Sequence, residues 1–286
     1  MHLFIFSYIK GVIVGSSFLI TLREGLEASL IISILLTYLA KTNRRAENRV
    51  VWFGTLVAIV VCAIVGTLVF VFVNGLNGKV EQAVEGAIAV AAMLVLTQMI
   101  FWMRANARNL SSNLRSKVDG SSKTVLFTIA FVAVFREGLE TALFLLGAKT
   151  ETASGSSVVI GGLIGLVVSA ALGLAVYKAG SRINLKAFFN VTAILLLLFA
   201  AGLAGKAVHE IRELIGWETG LLITPAWTIN SGAWSASGGT FYDFMKGLFG
   251  WHASPERLRV GAYFVYLIPV LVSYLKSSKD DKQLVS

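Results

Sequence analysis

The sequence predicts an all-α, polytopic transmembrane protein of seven helices, arranged as two inverted three-helix repeats plus one C-terminal helix. Three observations predict it. The 286 residues are 56% hydrophobic and 14% charged, with a mean hydropathy of +0.76, whereas an ordinary soluble domain is about 25% charged. Seven apolar stretches reach the ~20 residues that a helix needs to cross a bilayer. A nine-residue pattern also recurs in two of those stretches, 113 residues apart.

The stretches are residues 11–40, 50–74, 81–103, 124–148, 156–178, 187–211 and 258–275. The first follows a start, Met1 to Lys10, that lacks the charged n-region and small-residue cleavage site of a signal peptide, so it reads as an uncleaved span. Between the stretches lie turn residues: Asn74-Gly75, Asn77-Gly78, Asp119-Gly120 and Ser154-Gly155-Ser156-Ser157. A β-barrel would show short alternating strands instead. The single cysteine, Cys62, excludes an intrachain disulfide and reads as a small packing residue.

A net charge of +9 and a pI near 9.7 could suggest nucleic acid, but the basic residues sit in short clusters between apolar runs. The first connector holds Lys41, Arg44, Arg45 and Arg49, and the third Arg104, Arg108, Arg115, Lys117 and Lys123. The fifth holds Lys178, Arg182 and Lys186, and the tail Lys276, Lys279 and Lys282. These fifteen residues face only Lys79 and Lys149 in the two short connectors opposite. Cytoplasmic connectors are enriched in Lys and Arg. The pattern therefore predicts a multi-pass protein of the plasma (inner) membrane, with its N-terminus outside and its C-terminus cytoplasmic. No nucleic-acid partner is expected; lipid is the solvent. Residues 212–257 form one long external connector bearing Trp217, Trp227, Trp234 and Trp251, either an interfacial aromatic belt or a lid and docking surface.

The recurring pattern is Leu22-Arg23-Glu24-Gly25-Leu26-Glu27-Ala28-Ser29-Leu30 and Phe135-Arg136-Glu137-Gly138-Leu139-Glu140-Thr141-Ala142-Leu143, identical at six of nine positions. Each copy opens a unit of three stretches. Three is odd, so the second unit enters the membrane from the opposite side, as in transporters whose sites lie where two inverted units meet. The expected division is 1–123 and 124–211 for the two units, 212–257 for the external loop, and 258–286 for the last helix and tail.

Ionisable side chains near the bilayer centre cost roughly 2.5–3.5 kcal/mol each and mark functional sites. At 100° per residue, Arg23, Glu24 and Glu27 share one helix face, as do Arg136, Glu137 and Glu140. Two such faces turned together would hold four carboxylates and two guanidiniums. Carboxylate oxygens suit hard cations, and the absence of His and Cys from both motifs disfavours softer ones. The arginines would hold the carboxylates and offset their charge. The same residues would also serve as plain helix clamps. A second polar group is Glu81 and Glu85 at the start of the third stretch, with His209, Glu210 and Glu213 at the end of the sixth. Glu85, His209 and Glu210 are candidate ligands of an outer capture site, with Glu81 and Glu213 supporting. Glu81 and Glu85 would equally stabilise a helix N-terminus.

At these residues the chain resembles the oxidase-dependent iron permease family, also called the iron/lead transporter family. Its hallmark R-E-G-L-E element is present as Arg23–Glu27 and Arg136–Glu140. Glu85-Gly86, Leu96-Thr97 and Phe101-Trp102-Met103-Arg104 resemble that family's third helix, with Gln98 where members often have an aromatic. Ala201-Gly202-Leu203 and Val208-His209-Glu210 resemble its sixth helix. Gly247-Leu248-Phe249-Gly250-Trp251, leading into Tyr266-Leu267-Ile268-Pro269, resembles the approach to its seventh. The resemblance runs from about residue 16 to 276, and the first ~15 residues look like an extension. It implies high-affinity uptake of iron, handled as Fe³⁺, across the plasma membrane. The ion would be supplied by an external or periplasmic oxidase, peroxidase or iron-binding protein. It also implies no catalytic residues, no enzyme activity and no cofactor beyond the transported ion.

The residues alone leave other readings open. Another hard or heavy divalent cation, such as Pb²⁺ or Fe²⁺, would suit the carboxylates. A membrane metalloenzyme would be expected to pair carboxylates with His, often as Glu-x-x-His, which neither motif does. An anion transporter built on Arg23 and Arg136 is opposed by the excess of carboxylates.

Overall fold

The structure is a computed structural model and describes residues 15–106, 118, 120–151, 155–179 and 185–283. The N-terminal extension, Asp119, Ser154 and the basic residues Arg108, Arg115, Lys117 and Arg182 lie outside the described residues. Among those described, the chain is all-helical apart from one isolated bridge, Pro225 to Glu256. The helices are α1 (Ser16–Lys41), α2 (Asn48–Asn74), α3 (Lys79–Asn106), α4 (Lys123–Glu151), α5 (Gly155–Ala179), α6 (Leu185–Leu214), α7 (Gly239–Phe249) and α8 (Arg257–Gln283).

Among the described residues, five segments are long and apolar enough to cross a membrane: Arg45–Asn74, Lys79–Ala105, Val158–Ala175, Ala187–Leu214 and Arg257–Lys276. The remaining long helices, α1 and α4, have 26 and 29 residues. What lowers their apolar character is the motif itself, which puts three charges in the body of each helix. The outward faces of α2 and α5 are lined by exposed Trp52, Phe53, Leu56, Leu163 and Val167, as a lipid solvent permits.

Helix partners do not follow chain order. The first helix packs chiefly on α5, α2 on α4, and α3 on α6, while α1 also meets α4 and α8 lies along α6. Exchanging the labels 1 with 4, 2 with 5 and 3 with 6 leaves the pairings among the first six helices unchanged, and only the α8–α6 pairing has no counterpart among those described. Close contacts obey the same exchange. A methyl group at Gly25 would overlap Ser169 of α5, and one at Gly138 would overlap Cys62 of α2. Gly173 abuts Ser29 of α1, and Gly66 abuts Ala142 of α4. The motif glycine therefore brings a partner helix close to each charged helix, on the side away from the carboxylates. Cys62 is a packing residue whose Sγ lies 3.5 Å from the Phe135 carbonyl.

At one end of the bundle, Arg44 ties two connectors together. Its guanidinium pairs with Glu47 at 2.6 Å and donates to the carbonyls of Ser121 at 2.6 Å and Val118 at 3.3 Å. The connectors after α1 and before α4 therefore share an end. At the other end, residues 215–256 fold as a structured cap. Trp251 stacks on Trp227 at 5.4 Å and meets Trp234 edge-on at 5.3 Å, and Trp234 packs on Phe241 at 5.0 Å. The cap is stitched by Ala226 N–H to the Pro255 carbonyl at 2.8 Å and Ile229 N–H to the Ala253 carbonyl at 2.9 Å.

Within the cap, α7 was not expected as a helix. It has 11 residues, includes Asp243 and Lys246, and is too short and polar to read as a span. It packs on α6 and touches α1 and α4. It ends at Gly250, whose φ of +65° and contact with the Cα of Gly202 exclude a side chain at either position.

The glycine contacts set a stability test. Gly25→Val and Gly138→Val should each destabilise by about 1–3 kcal/mol through overpacking, whereas Gly261→Ala, which meets nothing within 4 Å, should be neutral or slightly stabilising. Thermal unfolding of the detergent-solubilised protein checks both.

Candidate metal site

The charged faces of α1 and α4 meet where those helices cross. Glu24, Glu27 and Glu137 each offer an oxygen within 4.8 Å of the other two, and each is 5% exposed or less. Arg23 is 1% exposed. Its fork is split between two carboxylates, with Nη1 3.6 Å from Glu24 and Nε 3.2 Å from Glu27. Nη1 also lies 3.1 Å from the sulfur of Met99 on α3, which seals the guanidinium on its third side.

The second copy is built alike and dressed differently. Arg136 Nε lies 2.8 Å from Glu140 and 3.9 Å from Glu137. Its side chain is 42% exposed and rests 4.9 Å over the ring of Trp102. Glu140 is drawn to Arg136 and stands outside the three-carboxylate group.

Both oxygens of Glu24, and one each of Glu27, Glu137 and Glu140, are buried without a hydrogen bond, although Oε1 of Glu24 and of Glu27 face the Arg23 guanidinium as ion pairs. Buried carboxylate oxygens left unpaired are costly, and a cation placed among them removes that cost. A cleft of about 350 Å³ is lined by Glu27, Arg136 and Glu137 together with Ile31, Trp102 and Ala133. A second cleft of about 260 Å³ lies on the other flank of Arg136 and reaches Glu140 past Gln98 and Trp102. Arg136 lines both.

The second cluster lies under the cap, where the start of α3 meets the end of α6. Lys206 Nζ bridges Glu85 of α3 at 2.9 Å and Glu210 at 3.2 Å. His209 lies 3.5 Å from Glu213 and 3.3 Å from Glu256, and Arg212 contacts the same two carboxylates at 3.1 and 3.0 Å. Gln82 donates to Glu213 at 3.1 Å. Glu81 stands exposed in the first turn of α3. Glu85 and Glu210 are thus brought together by Lys206, and His209 and Glu213 belong to a neighbouring group of ion pairs with Arg212 and Glu256.

Residues 15–278 match the model of the iron permease FTR1 family. The chain belongs to that family. Its relatives include the ferrous iron permease EfeU of Escherichia coli O6:H1, 37% identical over 268 residues covering 90% of this chain and 94% of the relative. The proteins of the same name from Shigella sonnei and Yersinia pestis are 37% and 36% identical over 267 residues, or 90% of this chain, covering 94% and 92% of the relatives. No solved structure matches. The chain is accordingly an iron-transporting, multi-pass membrane permease.

Several residues of the permease's two clusters escaped sequence reasoning. Lys206 and Arg212 carried a signal, each within one turn of a recognised acid, and Lys206 interrupts the apolar run Ala200–Val208. Met99, Trp102 and Glu256 carried none as site residues, because their roles arise only from helix contacts. The sequences of α2 and α5 are also alike. Gly54, Leu56, Val60, Val61, Ala63 and Gly66 recur as Gly161, Leu163, Val167, Val168, Ala170 and Gly173.

The unequal burial of the arginines sets a second test. Arg23→Met strands buried carboxylates and should cost about 3–5 kcal/mol, the loss typical of breaking a buried pair; Arg136→Met should cost distinctly less. Melting temperatures in detergent would show the difference, and equal losses would contradict it.

Proposed function

We propose that the permease carries Fe²⁺ through the three-carboxylate site formed by Glu24, Glu27 and Glu137, with Glu140 and Arg136 forming its mobile flank. The observation that carries this reading is the convergence of three buried carboxylates, several of their oxygens lacking a hydrogen bond, at the crossing of α1 and α4. Carboxylate oxygens accept either ion of iron. The relatives' names, ferrous iron permease, weigh toward Fe²⁺ over the Fe³⁺ implied by the motif resemblance.

The helices α1 to α6 and α8 form seven spans, in two inverted units comprising residues 1–123 and 124–211. The unchanged pairing of the first six helices on exchanging the units supports this. The Arg44 end faces the cytoplasm, with the C-terminus, and the cap of 212–257 faces outward. Glu85, His209 and Glu210, with Glu81 and Glu213 supporting, form an outer capture site beneath the cap. Iron then reaches the central carboxylates and leaves along the cleft past Trp102. Arg23 is sealed while Arg136 is open to clefts; exchange of those environments between the two units would move the opening to the other side of the membrane. An external oxidase, peroxidase or iron-binding protein would meet the permease at the cap.

Radiolabelled iron uptake into proteoliposomes tests the site. Uptake should require ascorbate to keep iron ferrous. Glu24→Gln, Glu27→Gln and Glu137→Gln should each weaken iron binding on the order of a hundredfold, about 2.8 kcal/mol at 1.4 per tenfold, with Glu140→Gln also impaired. Flux is normalised to folded transporter by size-exclusion fluorescence. Normal flux per molecule in Glu27→Gln and Glu137→Gln would leave these residues as helix clamps and sink the mechanism.

Orientation has its own test. Ser231→Cys, exposed in the cap, should react with an impermeant maleimide from outside intact cells, above the background of Cys62. Labelling only after the cytoplasmic side is opened would reverse the topology.

A further inference from the structure

The proposed iron path makes no use of one buried cation, Lys206 of α6. This lysine is 6% exposed, and its ammonium lies between two carboxylates that belong to different helices, Glu85 at 2.9 Å and Glu210 at 3.2 Å. The local backbone is shaped to hold it there. Gly86 leaves room for Glu210, since a methyl at that position would stand 3.2 Å from the Glu210 Cβ. Gly205 lets α8 approach, with Arg259 3.1 Å from where its Cβ would be. The pair of carboxylates is thus occupied by a charge that the protein itself supplies.

We propose that Lys206 is a tethered counter-ion that reserves the Glu85–Glu210 pair for multivalent cations and is displaced when iron is captured there. This rests on the reading of those carboxylates as the outer capture site. At fixed distance, attraction to a carboxylate scales with the charge of the cation. Sodium or potassium offers the pair no more charge than the ammonium does, must shed its own water, and competes against a group whose tether gives it a high effective concentration. A divalent or trivalent ion brings two or three charges to the same oxygens and can outbid the ammonium. Lysine suits such a role: it is a point charge on a flexible four-carbon stem, and can swing aside without movement of its helix, whereas the guanidinium fork of arginine binds carboxylates in a fixed geometry.

The experiment uses the full-length permease in proteoliposomes, with Fe²⁺ held reduced by ascorbate. External choline is replaced by sodium at constant ionic strength. The half-saturation of wild-type uptake should not respond to the exchange. In Lys206→Met sodium should raise it by about tenfold, equivalent to about 1.4 kcal/mol. Lys206→Arg should keep the wild-type indifference to sodium, with a higher half-saturation for iron because the fork is harder to displace. The unmodified protein supplies an independent readout should Lys206→Met not fold. Acylation of Lys206 by an amine-reactive reagent, read by mass spectrometry, should rise severalfold at saturating Fe²⁺ and not with sodium. Labelling that iron leaves unchanged, or a folded Lys206→Met that ignores sodium, would overturn the proposal. Unchanged half-saturation in both Glu85→Gln and Glu210→Gln would overturn the capture site as well. Weakened capture in those variants, with Lys206 labelling unmoved, would overturn displacement alone.

Discussion

The split fork of Arg23, shared by Glu24 and Glu27 in the centre of a membrane bundle, is the interaction on which the rest of the permease depends. A lone carboxylate there would be neutralised or expelled, and even a paired one gains little over an apolar residue, because desolvation offsets the attraction. The protein keeps these groups by surrounding them. Ile20, Leu96, Met99, Phe144, Leu196 and Leu203, contributed by α1, α3, α4 and α6, form one core cluster in the same bundle. Removing the charges would relieve the bundle of its main electrostatic cost and of its reason to bind a cation.

The same constraint explains the composition of the motif. Arg, Glu and Glu at positions one, two and five fall on one helix face, which fixes where the charge points. Glycine at position three falls opposite, against Ser169 in one copy and Cys62 in the other. A charged helix needs a closely packed back to hold its front in register, and a glycine lets the partner backbone come near, as at other small-residue crossings in membranes. The two faces of a five-residue motif therefore set both the site and the helix pairing around it.

How much of this could be read beforehand follows from which signals are local. The long helices were legible because apolar runs are long and charges scarce, and the candidate site stood out because charge in such a run is expensive. Partner choice was less so: that α1 lies on α5 and α2 on α4 depends on surface shape at Gly25, Gly66, Gly138 and Gly173, and no periodicity encodes which helix fills a groove. The helix α7 was hidden by its length and by Asp243 and Lys246. The cap tryptophans were visible as residues, but their mutual stacking depends on the path of the chain between Trp227 and Trp251. For the carboxylates under the cap, acids were noticed and bases overlooked, although Lys206 lies four residues before Glu210.

The two clusters now admit a common description with a chemical difference. The central one has Glu24, Glu27, Glu137 and Glu140 with Arg23 and Arg136; the one under the cap has Glu85, Glu210, Glu213 and Glu256 with Lys206 and Arg212. Each sets four carboxylates against two Lys or Arg side chains, with His209 beside the second group, a formal excess of two acids. Where the cations are both arginine, one fork spans two carboxylates and holds them apart, and its charge cannot be lost. On the proposed path the central geometry would persist while the ion comes and goes. Where a lysine sits between the acids, the cation is compact and on a flexible stem, and in the proposed mechanism the pair stays closed until something of higher charge arrives. Discrimination by charge belongs at the first contact with solvent, where monovalent ions are plentiful. A rigid cage of carboxylates belongs deeper, where the ion has already lost part of its water and must be held by oxygens fixed in place.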